Sequence, residues 1–286
     1  MVFTAPAKIN LYLGVIQPRD DGYHEIETLF ERISVGDCIT IETDQRNTTI
    51  TCDDPSVPTG ETSLMARTIA AFKKKSGVDL HFRVTIEKNI PIGAGLGGGS
   101  SDAATLLKGI NRLSGHPLGE DAMLQTGQTL GADVPFFLSD CSFGIGKGRG
   151  DIIQKLDTQL DIWHVLVNPP FEVSTKDVYG KVPAFGLTKR GGVDRMVSAF
   201  SDDNNINILA KNLHNDLQAL VLGDFPVLER VFSELADSGA KGVLLSGSGP
   251  SVFGIFGRDE AIKAAERLRH IFPAEENWRI YVARTC

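Results

Sequence analysis

The chain has 286 residues, of which 42% are hydrophobic and 23% charged, and its formal net charge at pH 7 is −7. This length suffices for one large or two modest domains, and the acidic balance argues against nucleic acid or an anionic membrane as the main partner. No apolar run approaches a membrane span. Because the first motif begins at Pro6, we expect no signal or transit peptide. The four cysteines (Cys38, Cys52, Cys141 and Cys286) show no C-x-x-C spacing. We therefore expect a cytoplasmic protein with reduced thiols.

The first half of the chain predicts a mixture of strands and helices. Residues 2–16 alternate as a strand, which places Lys8 and Asn10 on one face. A polar turn follows over residues 17–22. Further strands are predicted at 33–43, 48–52, 80–87 and 141–145, and helices at 63–75, 103–113 and 121–130.

The second half begins after a glycine-rich segment, residues 144–150, that predicts a loop. The pattern then predicts strands at 162–167, 242–245, 252–256 and 279–283, and helices at 175–179, after 217, at 228–238 and at 260–271. Residues 182–207 show no pattern that assigns them. Because helices and strands mix without a repeat, we expect an α+β fold with one domain over residues 1–155 and another over 156–286.

A glycine-rich stretch between a predicted strand and a predicted helix is the strongest functional signal. It consists of Pro91, Ile92, Gly93, Ala94, Gly95, Leu96, Gly97, Gly98, Gly99, Ser100 and Ser101. Glycines let the backbone approach a ligand closely, and a helix start offers unpaired N–H groups, so the stretch predicts a phosphate cradle. Ser100, Ser101 or Asp102 is expected to cap the helix.

Other phosphate-binding motifs do not fit this stretch. Residues 93–98 match G-x-G-x-x-G, but the acidic residues that follow, Glu120 and Asp121, come after a turn and not at the end of a strand. A Walker loop fails because Gly148 stands where Ser or Thr is required after Lys147. The sequence also has no His-Arg-Asp or Asp-Phe-Gly tripeptide, which excludes the protein-kinase signature.

Three segments in order, residues 6–11, 91–101 and 245–253, resemble the motifs of the GHMP kinases, a family that includes galactose, homoserine and mevalonate kinases. The resemblance implies two domains with the active site in the cleft between them. It implies that Asp133 is the catalytic base, that Lys8 orients the hydroxyl and stabilises charge, and that residues 91–101 hold ATP phosphates. Mg²⁺ would arrive on ATP and not in a protein cage. Ser246, Gly247 and Ser248 form a possible phosphate-side loop.

Each of these features has a plainer explanation. Lys8 could be a surface lysine on a strand, residues 246–251 could be a hairpin turn, and Asp133 could cap the segment that Pro135 helps to start. Only the joint occurrence of the motifs favours catalysis.

Three smaller signals resemble one branch of the family: residues 22–24, the triple glycine at 97–99, and residues 131–135. That branch phosphorylates the 2-hydroxyl of a cytidine diphosphate-linked methylerythritol in the non-mevalonate isoprenoid route. The resemblance implies that Asn10 and His24 contact this substrate and that Tyr23 and Tyr179 stack on the two faces of its cytosine.

Two alternatives stay open. One is another small-alcohol kinase of the family, such as homoserine or mevalonate kinase. The other is a nucleotide-binding module that has lost catalysis. For the kinase that the motifs favour, we expect no tightly bound cofactor, no nucleic-acid or membrane partner, and a monomer or weak homodimer.

Overall fold

The computed structural model describes residues 1–44, 46–158, 160–182, 188, 192–201 and 206–286. Strands and helices are interleaved along the whole chain, which confirms the predicted α+β class. The chain divides into two compact units. The first unit comprises Met1–Ala7, Val35–Ile90 and Gly97–Cys141, and the second comprises Lys8–Ser34, Pro91–Leu96 and Ser142–Cys286. The domain boundary expected near residue 155 stays a prediction.

The strands are Val2–Pro18 (β1), His24–Asp44 (β2), Thr49–Cys52 (β3), His81–Glu87 (β4), Phe143–Lys147 (β5), Ile152–Leu156 (β6), Trp163–Asn168 (β7), His214–Asn215 (β8), Gly242–Leu245 (β9), Val252–Phe256 (β10) and Arg279–Arg284 (β11). The helices are Leu64–Ser76 (α1), Gly98–Leu113 (α2), Glu120–Leu130 (α3), Val134–Leu138 (α4), Thr175–Tyr179 (α5), Gly192–Ser201 (α6), Ile206–Lys211 (α7), Gln218–Asp224 (α8), Val227–Asp237 (α9) and Arg258–Ile271 (α10), with a 3₁₀ turn at Ala274–Glu276.

The first unit packs helices on a small sheet. β4 pairs in parallel with β3 and antiparallel with the second half of β2, from Cys38 to Asp44. The inward residues of β4 are Phe82, Val84 and Ile86, each fully buried, as their alternation with polar residues predicts. Helix α1 starts at the N-cap Ser63, whose side chain accepts a hydrogen bond from the Ala66 N–H. Helices α1, α3 and α4 pack against α2, which carries the second half of the glycine-rich stretch.

The second unit contains a four-stranded sheet in the order β11-β7-β10-β9, with α9 and α10 packed on it. Its core includes Val165, Val252, Phe256 and Leu268, all buried. In the same unit, Tyr12 and Leu13 of β1 pair in parallel with β8, and β2 pairs through Thr28–Glu31 with β5. The part of β1 from Lys8 onward therefore belongs to the same compact unit as the loop between β9 and β10.

Two expectations are wrong in detail, and one unassigned segment contains helices. The segment 144–150 is not a loop throughout, because the strand expected at 141–145 continues to Lys147 as β5. A turn joins it to β6, a strand that the sequence pattern does not indicate. Phe143 and Ile145 alternate with glycines, and their burial shows that this alternation is a strand signal. The strand expected at 33–43 begins nine residues earlier, at His24. The unassigned segment 182–207 contains α6 and the start of α7, and its remaining residues lie largely outside the described ranges.

No helix within the described ranges combines the length and the apolar character that crossing a bilayer requires.

Candidate active site

Lys8 is a buried lysine on β1, not a surface lysine. Its side chain is 4% exposed. The Nζ atom donates to Asn10 Oδ1 at 2.7 Å and to the Gly95 carbonyl at 3.0 Å, and it lies 5.6 Å from the centre of the Phe30 ring. Burying a charged ammonium is costly unless it is hydrogen-bonded, and here two acceptors of the same unit hold it. A cation held in this way is suited to stabilise negative charge on a bound ligand.

Asn10 fixes the position of this ammonium. Its Oδ1 accepts from Lys8, while its Nδ2 donates to Thr28 Oγ1 at 2.8 Å, and the Thr28 hydroxyl in turn donates to the Tyr12 carbonyl at 2.6 Å. The predicted sharing of one strand face by Lys8 and Asn10 is therefore confirmed. The expected contact of Asn10 with the substrate stays a prediction.

The β9–β10 loop reaches the same place as Lys8. Ser246 Oγ donates to the Gly95 carbonyl at 3.0 Å, so this carbonyl accepts from both Ser246 and Lys8. A Cβ built on Gly247 would lie 3.4 Å from Lys8 Nζ and 3.2 Å from Asn10 Oδ1. The structure thus brings together Lys8, Asn10, Gly95 and the 246–248 loop, although these residues are separated by most of the sequence.

The β9–β10 loop is held by side chains on three other segments. Asn215 Nδ2 donates to the Leu245 and Gly247 carbonyls at 2.9 and 2.7 Å. The Ser248 hydroxyl is hydrogen-bonded to Thr175 Oγ1 at 2.8 Å, and Ser251 Oγ donates to Asn168 Oδ1 at 2.9 Å. A loop with this many side-chain anchors is preorganised and more rigid than an ordinary hairpin turn.

Gly95 must be a glycine for reasons of conformation and of space. Its φ is +76°, in the left-handed region that residues with a Cβ rarely adopt. A Cβ at this position would lie 2.1 Å from the Ser246 carbonyl oxygen and 3.0 Å from the Gly249 nitrogen. The close backbone approach expected of the glycine-rich stretch therefore occurs here, between its first half and the β9–β10 loop.

The aromatic side chains expected to bind cytosine also lie in the second unit. Tyr23 sits in the turn after β1 and is 51% exposed. The guanidinium of Arg149 lies over its ring, 4.8 Å from the centroid. His24 begins β2, and its ring lies 5.2 Å from that of Tyr179 at an angle of 37°. Burial lowers the pKa of His24 below its usual value, which favours the neutral imidazole at pH 7.

The second half of the glycine-rich stretch starts α2 in the first unit. The N-cap is Gly97, at φ +70°, and it has no side-chain cap. The expected capping by Ser100, Ser101 or Asp102 is wrong, because the helix begins at Gly98 and these residues already lie inside it. The first intrahelical bond runs from the Ser101 N–H to the Gly97 carbonyl at 2.9 Å. The N–H groups before it belong to a helix start of the kind that binds anions.

The two serines of the stretch differ in surroundings. Ser101 is fully buried, and its hydroxyl donates to the Pro6 carbonyl at 2.6 Å, which ties α2 to β1. Ser100 is half-buried, and a Cβ on Gly131 would lie 3.6 Å from its Oγ. Ser100 therefore lies next to the turn that carries Asp133.

Asp133 is at the N-cap position of α4, yet its carboxylate makes no capping hydrogen bond. Its φ and ψ, −83° and −14°, are helical, whereas a capping residue is usually extended. The side chain is half-buried. The capping explanation for Asp133 is thus weakened, and its predicted role as a base stays a prediction.

A buried charge cluster lies beneath the start of α2 and was missed by the sequence analysis. Lys88 Nζ is paired with Asp37, and it donates to Asp102 Oδ2 at 2.8 Å. Asp37 also accepts from the backbone N–H groups of Asn89 and Ile90 at 2.6 and 2.8 Å. A Cβ on Gly98 would lie 3.4 Å from Lys88 Nζ. Two carboxylates share one ammonium, and burial together with the Asp37 charge raises the pKa of Asp102 to about 7, against the opposing pull of Lys88.

The described residues include no group of three or more His, Cys, Asp or Glu side chains arranged to hold a metal ion.

Two family descriptions match the chain. Residues 63–140 match "GHMP kinases N terminal domain" and residues 196–274 match "GHMP kinases C terminal". Among curated proteins, the chain is 38% identical over 281 residues to 4-diphosphocytidyl-2-C-methyl-D-erythritol kinase of Syntrophotalea carbinolica, covering 98% of this chain and 96% of that one. It is also 38% identical over 288 residues to the enzyme of the same name from Caldicellulosiruptor bescii, covering 100% and 98%.

Solved structures agree in fold. A crystal structure of 4-(cytidine 5'-diphospho)-2C-methyl-D-erythritol kinase superposes with a TM-score of 0.80 at 33% identity and covers 99% of this chain and 98% of its own. Homoserine kinase from Cytophaga hutchinsonii superposes with a TM-score of 0.78 at 19% identity, covering 99% and 94%. The second likeness concerns the fold alone.

Proposed function

Because the chain belongs to the GHMP kinase family, and within it to the 4-diphosphocytidyl-2-C-methyl-D-erythritol kinases, we propose that it transfers the γ-phosphoryl group of ATP to the 2-hydroxyl of 4-diphosphocytidyl-2-C-methyl-D-erythritol. The products are the 2-phosphate and ADP. The reaction is a step of the non-mevalonate route to isoprenoid precursors.

The observation that carries this proposal is the convergence of three separate motifs on the Lys8 ammonium. The Gly95 carbonyl accepts from both Lys8 Nζ and Ser246 Oγ, and Gly247 packs against Lys8 and Asn10. Lys8 is only 4% exposed, and burying its charge costs free energy that its hydrogen bonds must offset. A nucleotide-binding module without catalysis would gain nothing from this costly arrangement. The arrangement fits a cation placed against a transferring phosphoryl group.

Asp133 and Lys8 have complementary roles in the proposed reaction. Asp133 accepts the proton of the attacking 2-hydroxyl as the general base. Lys8 orients that hydroxyl and stabilises negative charge as the phosphoryl group transfers. Asn10 holds Lys8 in place through its Oδ1.

ATP is the co-substrate, and residues 91–101 hold its phosphates. The N–H groups at the start of α2 and the positive end of the helix dipole attract the phosphate oxygens, and Gly97, Gly98 and Gly99 place no side chain there. Mg²⁺ bound to the phosphates of ATP would neutralise part of their charge. The loop of Ser246, Gly247 and Ser248 borders Lys8 and completes the phosphate side of the site.

The acceptor is recognised through its cytosine. Tyr23 supplies an exposed ring face, and Tyr179 a second ring beside His24. A neutral His24, favoured by its lowered pKa, can exchange hydrogen bonds with the neutral base.

We propose in addition that the protein acts in the cytoplasm as a monomer or weak homodimer without nucleic-acid or membrane partners. Its net charge of −7 supports this by disfavouring polyanions. Sedimentation at micromolar concentration tests the oligomeric state, since a stable larger oligomer would contradict it.

The test is a coupled assay with ATP, Mg²⁺ and four acceptors: the cytidyl compound, free methylerythritol 4-phosphate, homoserine and mevalonate. We expect turnover only with the cytidyl compound, and phosphorus NMR should place the new phosphate on its 2-hydroxyl. Equal turnover of homoserine or mevalonate would leave the family intact and refute this substrate. No turnover of any acceptor by a protein that binds ATP would favour the non-catalytic alternative.

Asp133→Asn keeps the shape of the side chain but cannot take a proton, so kcat should fall by about 10²–10⁴ while ATP still binds. Asp140→Asn is a matched control in the same unit, since Asp140 has φ +51°, which asparagine tolerates, and pairs with Lys108. It should leave kcat unchanged. Wild-type kcat in Asp133→Asn would remove Asp133 from the mechanism.

A further inference from the structure

One face of the Tyr23 ring is already covered in the protein itself. The Arg149 guanidinium carbon lies 4.8 Å from the ring centroid, within the distance at which a cation is attracted to an aromatic face. The ring is nevertheless 51% exposed. Tyr23 therefore has one face occupied by a cation and substantial area open to a ligand.

Arg149 is held in place by its own turn. Its Nη2 and Nε lie 2.8 and 3.2 Å from Asp151 Oδ2, and its backbone N–H donates to Asp151 Oδ1 at 3.2 Å. Gly148 and Gly150, at φ +70° and +94°, form the tight turn on either side of it. The Gly148 carbonyl accepts from the Ile26 N–H at 2.8 Å, which fixes this turn to β2 close to Tyr23 in sequence.

Among the described residues, the hydrogen bonds of Tyr23 are made by its backbone. Its N–H donates to Asp21 Oδ1 at 3.1 Å, and its carbonyl accepts from the Arg19 N–H at 2.8 Å. These bonds set the Cα position but leave the exposed ring to choose among rotamers. The guanidinium of Arg149, clamped by Asp151, is a rigid planar surface that favours one of them.

We propose that Arg149 is a positioning residue that fixes the ring of Tyr23, so that cytosine stacks on the ring face opposite the guanidinium. This inference rests on the proposed function, because it takes the ligand of Tyr23 to be the cytosine of the acceptor. Arg149 acts through Tyr23 and contributes nothing to the transfer step. Preorganising an exposed ring strengthens binding by removing the entropy cost of ordering it when the ligand arrives.

The test measures the acceptor's Kd by calorimetry without ATP, and kcat separately. Arg149→Gln should weaken acceptor binding about 2- to 5-fold, the range of an exposed cation–π contact, with kcat and ATP affinity unchanged. Arg149→Lys keeps the charge but lacks the planar fork that Asp151 holds, so it should restore only part of the affinity. Arg267→Gln is a matched control, because it removes from the same unit an arginine that is likewise paired with a carboxylate, that of Glu234. It should leave acceptor affinity unchanged.

A double-mutant cycle distinguishes positioning from direct contact. In a Tyr23→Ala background, Arg149→Gln should have no further effect, because there is no ring left to hold. In a Tyr23→Phe background its effect should persist. An equal loss in the wild-type and Tyr23→Ala backgrounds would overturn the inference, since Arg149 would then act on the ligand itself. The inference would also be overturned if Tyr23→Ala weakens acceptor binding as expected but Arg149→Gln does not. If Tyr23→Ala leaves acceptor binding unchanged, the cytosine site itself is refuted, and the inference with it.

Discussion

Gly95→Ala tests the contact between the glycine-rich stretch and the β9–β10 loop. The new Cβ would lie 2.1 Å from the Ser246 carbonyl oxygen, whereas ordinary contacts begin near 3.4 Å, so one segment must shift by more than an ångström. The shift would displace the Gly95 carbonyl, which accepts from both Lys8 and Ser246. A misplacement of about 1 Å at a reacting centre can cost about 10² in rate, and we expect kcat to fall by at least that factor.

The same substitution should lower the free energy of unfolding. A left-handed alanine costs about 1–2 kcal/mol and overpacking about 1–3 kcal/mol, so the total should be about 2–5 kcal/mol. Gly77→Ala isolates the first contribution. Gly77 has nearly the same φ, +72°, at the end of α1, and a Cβ added there would meet nothing within 4 Å, so that variant should lose only about 1–2 kcal/mol and keep full activity.

Urea denaturation and steady-state kinetics on the two variants provide the measurements. The reasoning is refuted if Gly95→Ala turns over at the wild-type rate, or if its loss of stability is no larger than that of Gly77→Ala. Either result would mean that the β9–β10 loop yields to the methyl group without moving the Gly95 carbonyl.

Three other predictions follow from the site. Tyr23→Ala should raise the acceptor's KM by about 5- to 150-fold with little change for ATP, since stacking a base on a ring contributes about 1–3 kcal/mol, and an unchanged acceptor KM would contradict the cytosine site. Tyr23→Phe keeps the ring and should cost little. Lys8→Met should lower kcat by at least about 10² without unfolding the protein at 25 °C, and a fully active variant would exclude Lys8 from catalysis. The pKa of Asp102 is raised to about 7 in the folded protein, so between about pH 4 and 7 this carboxyl binds more protons in the folded than in the unfolded state. The free energy of unfolding therefore falls as the pH rises through that window. Asp102→Asn should remove this pH dependence. Between pH 5 and pH 8, the free energy of unfolding of the variant, measured by urea denaturation, should rise by about 2–3 kcal/mol relative to that of the wild type. Parallel curves of stability against pH for the two proteins would refute the raised pKa.

The sequence predicted the strands and helices around the site because each is determined by residues that are close together in the sequence. The alternation of Phe82, Val84 and Ile86 marks β4, and Ser63 marks the start of α1. The cap of α2 was misjudged because Ser100, Ser101 and Asp102 are all good capping residues. Gly97 takes that position because its left-handed conformation lets the chain turn into the helix without a side chain in the way.

The contacts that build the candidate site are non-local, and no spacing rule predicts them. The family motifs predicted that Lys8 and residues 246–248 belong to the site. Only the structure shows that Lys8 and Ser246 donate to the same acceptor, the Gly95 carbonyl. The contact between Arg149 and the Tyr23 ring is also non-local, because Arg149 lies in the turn after β5, far from Tyr23 in the sequence. The Lys88 cluster likewise joins charges from three separate segments, and burial is what distinguishes them from ordinary surface residues.

The shared Gly95 carbonyl also has a consequence for how the protein is made. Its two donors, Lys8 and Ser246, are separated by most of the sequence, so Lys8 is translated long before Ser246. At the usual speed of translation, roughly 10–50 seconds separate the two. During that interval the ammonium of Lys8 lacks the loop that later packs beside it, and the second unit cannot close because most of its strands have not yet been translated. The packing around Lys8 can therefore be completed only after the β9–β10 loop has been translated, so this part of the second unit forms late in synthesis.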